Sequence, residues 1–313
     1  MNSYGTIVNR CFMCAALAVS LLIGMSAIAP AAEHADESIV FGYMERIFKH
    51  RHQNDVMAAM KVWAEAVGAD TGLPIDSRMS VFARPEDMVR ALRDGRIGAI
   101  TLGLDDYLLI PPDCLSGPYL TEVRNGATHV RYVLVAAKSN GIADVGDLAG
   151  KRVAVHDDAY SAIGRTWLEA SLHADGRGSL QDTAARVDLQ PKASSAVLDV
   201  FFGRADACLV HEHLLESMAD LNPQIAQRLT VVASSDPILA NLVAFNINMP
   251  AAIRQQLSEV IATLHGTPAG DQLTLMFQID GLHVVTEEEL KRSGELLSSW
   301  HATSAMQSER ASR

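Results

Sequence analysis

Short apolar runs alternate with segments of helical periodicity along most of the chain, and this rhythm limits the fold more than any single residue does. Ile39–Gly42 reads as a buried strand, and Val56, Met60, Trp63 and Val67 then recur at helical spacing through Asp55–Val67. Leu73–Met79 alternates as a strand. Pro85 opens a helix carrying Met88, Val89 and Leu92, which Gly95 closes. Ile97–Leu102 is the next strand, followed by strands at Val130–Ala136 and Val153–His156 and a helix through Trp167. Val187–Leu189, a helix with Val197, Leu198 and Phe201, and strands at Ala207–Val210, Thr230–Val232 and Leu242–Ile247 continue the pattern. Two helical stripes, Ile253 to Leu264 and Glu287–Leu297, fill the C-terminal part. Such alternation predicts mainly parallel sheets flanked by helices. At 313 residues, two α/β lobes suit the length better than one sheet.

The N-terminal segment breaks this rhythm. No charged residue occurs from Cys11 to Ala32, and only Arg10 precedes that run. A basic start, an apolar stretch and the small residues around Ala29-Pro30-Ala31 predict a cleaved secretory signal peptide over residues 1–31 and a periplasmic protein. An uncleaved membrane anchor is the rival reading. Cys114 and Cys208 are then the remaining cysteines, and Cys208, inside an apolar run, reads as a small buried thiol. With 37 acidic against 26 basic side chains and 5% aromatics, the chain lacks the basic patches and stacking platforms of a nucleic-acid binder. Beyond residue 31 no H-E-x-x-H, G-x-S-x-G or C-x-x-C motif occurs, so neither catalysis nor a cofactor is expected.

The segment Asp147-Leu148-Ala149-Gly150-Lys151-Arg152-Val153-Ala154-Val155 resembles the D-L-x-G-K-x-V motif of type 2 periplasmic solute-binding proteins. Met88–Ile100, Phe201–Val210 with its G-x-A-D-A pattern, and Ser234–Pro237 followed by Leu242–Phe245 are similar to further segments of that family. With Leu264–Phe277 and Gly281–Val285 included, the resemblance is closest to the phosphate- and phosphonate-binding receptors of ABC importers. It implies two lobes joined by two hinge crossovers near Thr128 and Ser235. Lobe 1 would comprise residues 32–127 plus 237–313, and lobe 2 residues 128–236. It also implies a monomeric receptor that closes on a small polar solute, phosphonate- or phosphate-like, and presents it to a membrane permease.

In open α/β sheets ligands bind beyond the carboxyl ends of strands. That rule selects Tyr43 and Glu45 after the first strand, Thr101 and Gly103 after the third, His156, Asp157 and Asp158 after a lobe 2 strand, and His211 and Glu212 after another. Tyr160 and Ser161 open the helix after Asp158. Tyr43, Thr101, His156, Tyr160, Ser161 and His211 are the foremost contact candidates. The phosphonate-type relatives carry a hydroxyl-rich turn where this chain has Asp157-Asp158-Ala159-Tyr160-Ser161. Two carboxylates at a helix N-terminus would satisfy its N–H groups and repel a second anion. Glu45, Asp157, Asp158, Glu212, His156 and His211 would together make an acidic cleft suited to a cationic solute or a transition metal. A sensory accessory protein with the same cleft and no transport role is the other alternative. The basic cluster Lys49-His50-Arg51-His52 reads first as a solvated loop and second as a positive face toward an anion.

Overall fold

The computed structural model describes residues 38–263 and 266–311. The expected signal peptide and Leu264 lie outside them. The chain first lays down β1 (Ile39–Met44), α1 (Gln53–Thr71), β2 (Ile75–Phe82), α2 (Pro85–Arg93), β3 (Ala99–Gly103), α3 (Leu104–Tyr107) and β4 (Leu115–Val123). It crosses over and builds β5 (Tyr132–Ala137), β6 (Arg152–His156), α4 (Ser161–Ala174), α5 (Leu180–Thr183), β7 (Arg186–Gln190), α6 (Ala193–Phe201), β8 (Ala207–His211), α7 (Glu212–Leu221), α8 (Gln224–Arg228) and β9 (Leu229–Ser234). It then crosses back into β10 (Asn241–Asn246), α9 (Ala251–Ala262), α10 (Pro268–Phe277), β11 (Gly281–Val285) and α11 (Glu287–Ala311).

Two mixed sheets result. Lobe 1 has the order β11-β4-β10-β3-β1-β2 and lobe 2 the order β7-β6-β8-β5-β9. The βαβ units give parallel pairs, β1 with β2 and β3, and β6 with β7 and β8. Strands that begin at a crossover enter from the opposite lobe and so run antiparallel: β5 against β8 and β9, and β10 against β3 and β4. Those same strands are buried on both faces, which is why YVLVAA and NLVAFN read as continuous rather than alternating runs.

Local chemistry sets the element ends. In α1, Val56, Ala59, Met60, Trp63, Ala64 and Val67 are buried, a stripe at the spacing of one helix face. The helix stops at Gly72, whose φ of 68° is left-handed and whose N–H reaches Gly68 O at 2.9 Å. Pro85 occupies the first turn of α2, with Glu86 and Asp87 beside it and Arg90 and Arg93 in the last turn, matching the helix dipole. In α4 a side chain at Gly164 would run into the Tyr132 ring, so glycine permits that close approach of helix to β5.

One apolar cluster packs under α1, α9 and α10 in lobe 1, another under α6 and α7 in lobe 2, and a third runs through both lobes. The C-terminal helix α11 follows β11, the last strand of the lobe 1 sheet, and packs on α4 of lobe 2. Cys114 and Cys208 are both free and buried. Among the described residues no helix is long and apolar enough to cross a membrane.

Candidate functional site

Between the lobes lies a cleft of about 710 Å³, within the range typical of small-molecule sites. Lobe 1 contributes the turn after β1 (Lys49, His50, Arg51), the end of β4 and the first crossover (Thr121, Glu122, Arg124), the start of β10 (Asn241) and the end of α10 (Phe277, Gln278). Lobe 2 contributes His156, Asp158, Ala159 and Tyr160 after β6, Pro191 to Ser194 at the start of α6, and His211 and His213 at the start of α7.

Direct bonds already span the cleft. Tyr160 Oη accepts from Asn241 Nδ2 at 2.8 Å and donates to Glu122 Oε1 at 3.3 Å. Asn241 is itself fixed, its Oδ1 accepting from Thr121 Oγ1 at 3.0 Å and from Glu122 N at 3.1 Å. Lys49 Nζ donates to Asp157 Oδ1 at 2.7 Å, and His50 Nε2 lies 3.6 Å from Asp157 Oδ2. Burial would raise the Asp157 carboxyl, but the Lys49 ammonium outweighs it and holds the group below its ordinary value. Arg124 pairs with Glu122 at 2.6 Å and donates to Phe277 O and Gln278 O, which pins the crossover to α10.

An imidazole cluster surrounds Asp158 on the lobe 2 wall. His211 Nε2 is 3.4 Å and His156 Nδ1 3.8 Å from Asp158 Oδ2. The His211 ring lies edge-on to His156, His213 and Tyr132. Burial pushes His156, His211 and His213 down, His213 to about 4, so all three are neutral at pH 7. Burial works against ionisation of Asp158, yet the facing imidazoles, the Tyr160 N–H at 3.0 Å and Arg124 keep its carboxyl below the ordinary value. His156 Nδ1 and His211 Nε2 are buried without a hydrogen bond among the described residues.

The sequence-predicted residues divide into three groups. His156, Asp158, Tyr160 and His211 line the cleft. Asp157 and Ser161 sit just behind its wall, Ser161 buried and donating to Asp157 Oδ1 at 3.3 Å and Asp158 O at 3.1 Å. The remainder lie elsewhere. Tyr43 is buried against Phe48 in lobe 1, because on β1 it shares the pleat face of Phe41 that packs on α1. Thr101 faces the same interior chamber. Glu45 is exposed, Gly103 lies against the Arg46 guanidinium, and Glu212 turns toward the crossover, 3.7 Å from Arg131.

The acidic cleft expected from the sequence is therefore dispersed. Of its four carboxylates, Asp158 alone lines the cleft. Nor do the two aspartates cap the helix: α4 has no side-chain cap bond, since Asp158 takes the Tyr160 N–H and Asp157 takes the Ser161 hydroxyl. Lys49, His50 and Arg51, read first as a solvated loop, line the cleft instead. Glu122, Arg124, Asn241 and Lys192 were missed. Glu122 belongs to β4, a strand hidden by the turn-like Gly117-Pro118. Lys192 is legible only as the residue opening α6. Among the described residues no group of three or more His, Cys, Asp or Glu is placed to hold a metal ion.

Two α/β lobes, paired crossovers and a polar cleft between them define the fold of a type 2 periplasmic binding protein. The family described as the periplasmic phosphonate substrate-binding protein of ABC transporters matches residues 47–290, and the chain belongs to it. It is thus a solute receptor of an ABC importer family and not an enzyme. Its fold is similar to a Xanthomonas citri protein bound to ATP, at 14% identity and a TM-score of 0.62, covering 85% of this chain and 98% of that one. It is similar to a binding-protein component of an ABC phosphonate transporter from Pseudomonas aeruginosa, at 12% identity, a TM-score of 0.52, and coverage of 88% and 100%. PhnD1 from Prochlorococcus marinus, solved with methylphosphonate, is 13% identical with a TM-score of 0.56, covering 83% and 97%. Among curated proteins no sequence relative matches the chain.

Proposed function

We propose that the protein is exported, with residues 1–31 removed, and that as a monomer it captures a small anionic solute of the phosphonate or phosphate class for an ABC permease. One observation carries the choice of an anion. Lys49, Arg51, Arg124 and Lys192 line the cleft against Glu122 and Asp158, and Arg51 and Lys192 have no acidic partner among the described residues. These two cations come from opposite lobes, so an anion between them neutralises both and rewards closure. Lys192 stands at the N-terminus of α6, which has no side-chain cap, so backbone N–H groups and the helix dipole add to its charge. Buried His211, with Nε2 unpaired, lines the same cleft.

The positive excess also explains why Asp158 does not exclude an anion. Arg124 and the Tyr160 N–H offset its charge, and anion capture is assigned to the cations Arg51 and Lys192 that line the same cleft. The test is a thermal-shift panel on ligand-stripped protein containing phosphonates, phosphate, amines, amino acids and divalent metals. Ligand at 100 times its Kd adds about 2.7 kcal/mol, which raises the midpoint by several degrees. A shift with amines or metals and none with the anions would overturn the reading.

A further inference from the structure

Behind the cleft, inside lobe 1, lies a chamber of about 70 Å³. Its walls are mostly apolar: Phe41 from β1, Trp63 from α1, Val243 from β10, and Leu273 and Phe277 from α10. Ile47, Glu122, Asn241 and Phe277 line both the chamber and the cleft, so the two spaces adjoin across one set of side chains.

The polar atoms of the chamber are unevenly used. Glu122 is engaged by Arg124 and Tyr160, and Asn241 by Thr121, Glu122 N and Tyr160. Tyr43 is only 5% exposed, and its hydroxyl has no hydrogen bond among the described residues. Burial alone drives its phenol upward, with no bonding partner contributing. Beside it on the same sheet face the Thr101 hydroxyl also lacks a partner; Thr101 pairs with Tyr43 in the β1–β3 register and with Val243 in the β3–β10 register. Phe and Val at these positions would fill the same space without adding a polar atom to a mostly apolar wall; Thr101 is half-buried and neither hydroxyl is fully enclosed, so both are open to the chamber. Two unpaired hydroxyls around an unfilled apolar space beside a solute cleft are what a ligand's own polar group would complete.

We propose that this chamber is a subsite for the solute's substituent: a short carbon chain of two or three atoms ending in an uncharged hydroxyl or carbonyl, which meets Tyr43 and Thr101. The chain length follows from a volume of about two to three water-sized groups, at roughly 30 Å³ each. This inference rests on the anion reading above, which places the charged head group in the cleft. The preferred solutes are then hydroxyalkyl- or oxoalkylphosphonates rather than bare phosphate.

The test is calorimetric titration with methylphosphonate, propylphosphonate and 3-hydroxypropylphosphonate. Each buried methylene is worth about four-fold in affinity, so propyl exceeds methyl by roughly fifteen-fold. The terminal hydroxyl adds about five-fold more. Tyr43→Phe is expected to lower the hydroxypropyl-to-propyl ratio, and Thr101→Leu, which fills the chamber, to bring the propyl-to-methyl ratio to about one. Val243→Leu serves as the filling variant if Thr101→Leu does not fold. Equal affinity of the wild type for all three would overturn the subsite and leave the anion reading standing. If no phosphonate binds, the anion reading falls and uncharged 1-propanol decides the chamber. A shift of the Trp63 indole resonance that disappears in the filling variant sustains the chamber, and no shift overturns it.

Discussion

Replacing Tyr160 with Phe keeps a ring packed in the shared core and removes a hydroxyl that joins lobe 2 to lobe 1. The hydroxyl makes two bonds, to Asn241 Nδ2 at 2.8 Å and to Glu122 Oε1 at 3.3 Å, and all three residues are largely withdrawn from water. Its phenol is pushed upward chiefly by burial, so it is a neutral donor at any working pH. A typical hydrogen bond contributes about 1 kcal/mol net, and an amide N–H left unpaired costs more. The closed arrangement should therefore lose about 2 kcal/mol relative to an open one in which water serves both groups, or roughly 30-fold in the closed-to-open ratio. Solute affinity should weaken by up to that factor. The solution scattering radius of the ligand-free protein should rise, because the bonds in question do not need ligand to form. Calorimetry with the best solute from the thermal-shift panel and scattering with and without it supply the two readouts. If Tyr160→Phe leaves affinity within three-fold and the scattering curve unchanged, these contacts do not hold the lobes together.

Four further outcomes are expected. The second bridge, Lys49 with Asp157, joins a side chain 37% exposed to one 12% exposed, so a double-mutant cycle with Lys49→Met and Asp157→Asn should give a coupling of only about 0.5–1 kcal/mol, and less in high salt. His156, His211 and His213 are all pushed down by burial, so between their folded values and about 6.5 the unfolded chain binds more protons. The contribution of these groups to stability is full above about pH 6.5 and is lost as pH falls. The unfolding midpoint should drop from pH 7 to 5, and by less in His156→Gln/His211→Gln; a flat wild-type profile would contradict the burial argument. Cys114 and Cys208 are 2% and 0% exposed and their thiols are pushed up, chiefly by burial, so pulsed alkylation should label both at the rate of unfolding. Gly164→Ala drives a methyl into the Tyr132 ring, whose hydroxyl donates to Tyr160 O at 2.9 Å, and should cost about 1–3 kcal/mol in denaturant unfolding.

The architecture was legible because its signal is periodic and repeated. Runs such as Val153–His156 and Ala207–Val210 fall within the observed β6 and β8 with ends off by one residue. Strands buried on both faces leave little choice of burial pattern, so sequence alone marks them. β4 is an exception, because Gly117-Pro118 carries a turn signal and pairing with β10 and β11 overrides it. That omission propagated to the site: Glu122 and Arg124 sit at and just past the end of a strand that had not been read, so the strand-end rule had nothing to act on. The rule itself selects backbone positions and is silent on which way a side chain leaves the pleat. Tyr43 and His156 both lie at or near strand ends, yet Tyr43 turns into the lobe 1 interior while His156 faces the cleft. The error over charge has a different origin. Counting Asp157 as a free carboxylate ignored a partner 108 positions away in the chain, since Lys49 comes from the other lobe. Net charge in a cleft is a sum over pairs that only the folded chain assembles, and here the pairing removes an acid and leaves Arg51 and Lys192 without one. The departure at Asp157-Asp158 that seemed to argue against an anion thus becomes, on one side, a contact between the lobes. On the other it is a carboxylate set among buried imidazoles and favoured by Arg124, and the proposed anion site rests on the cations Arg51 and Lys192 instead.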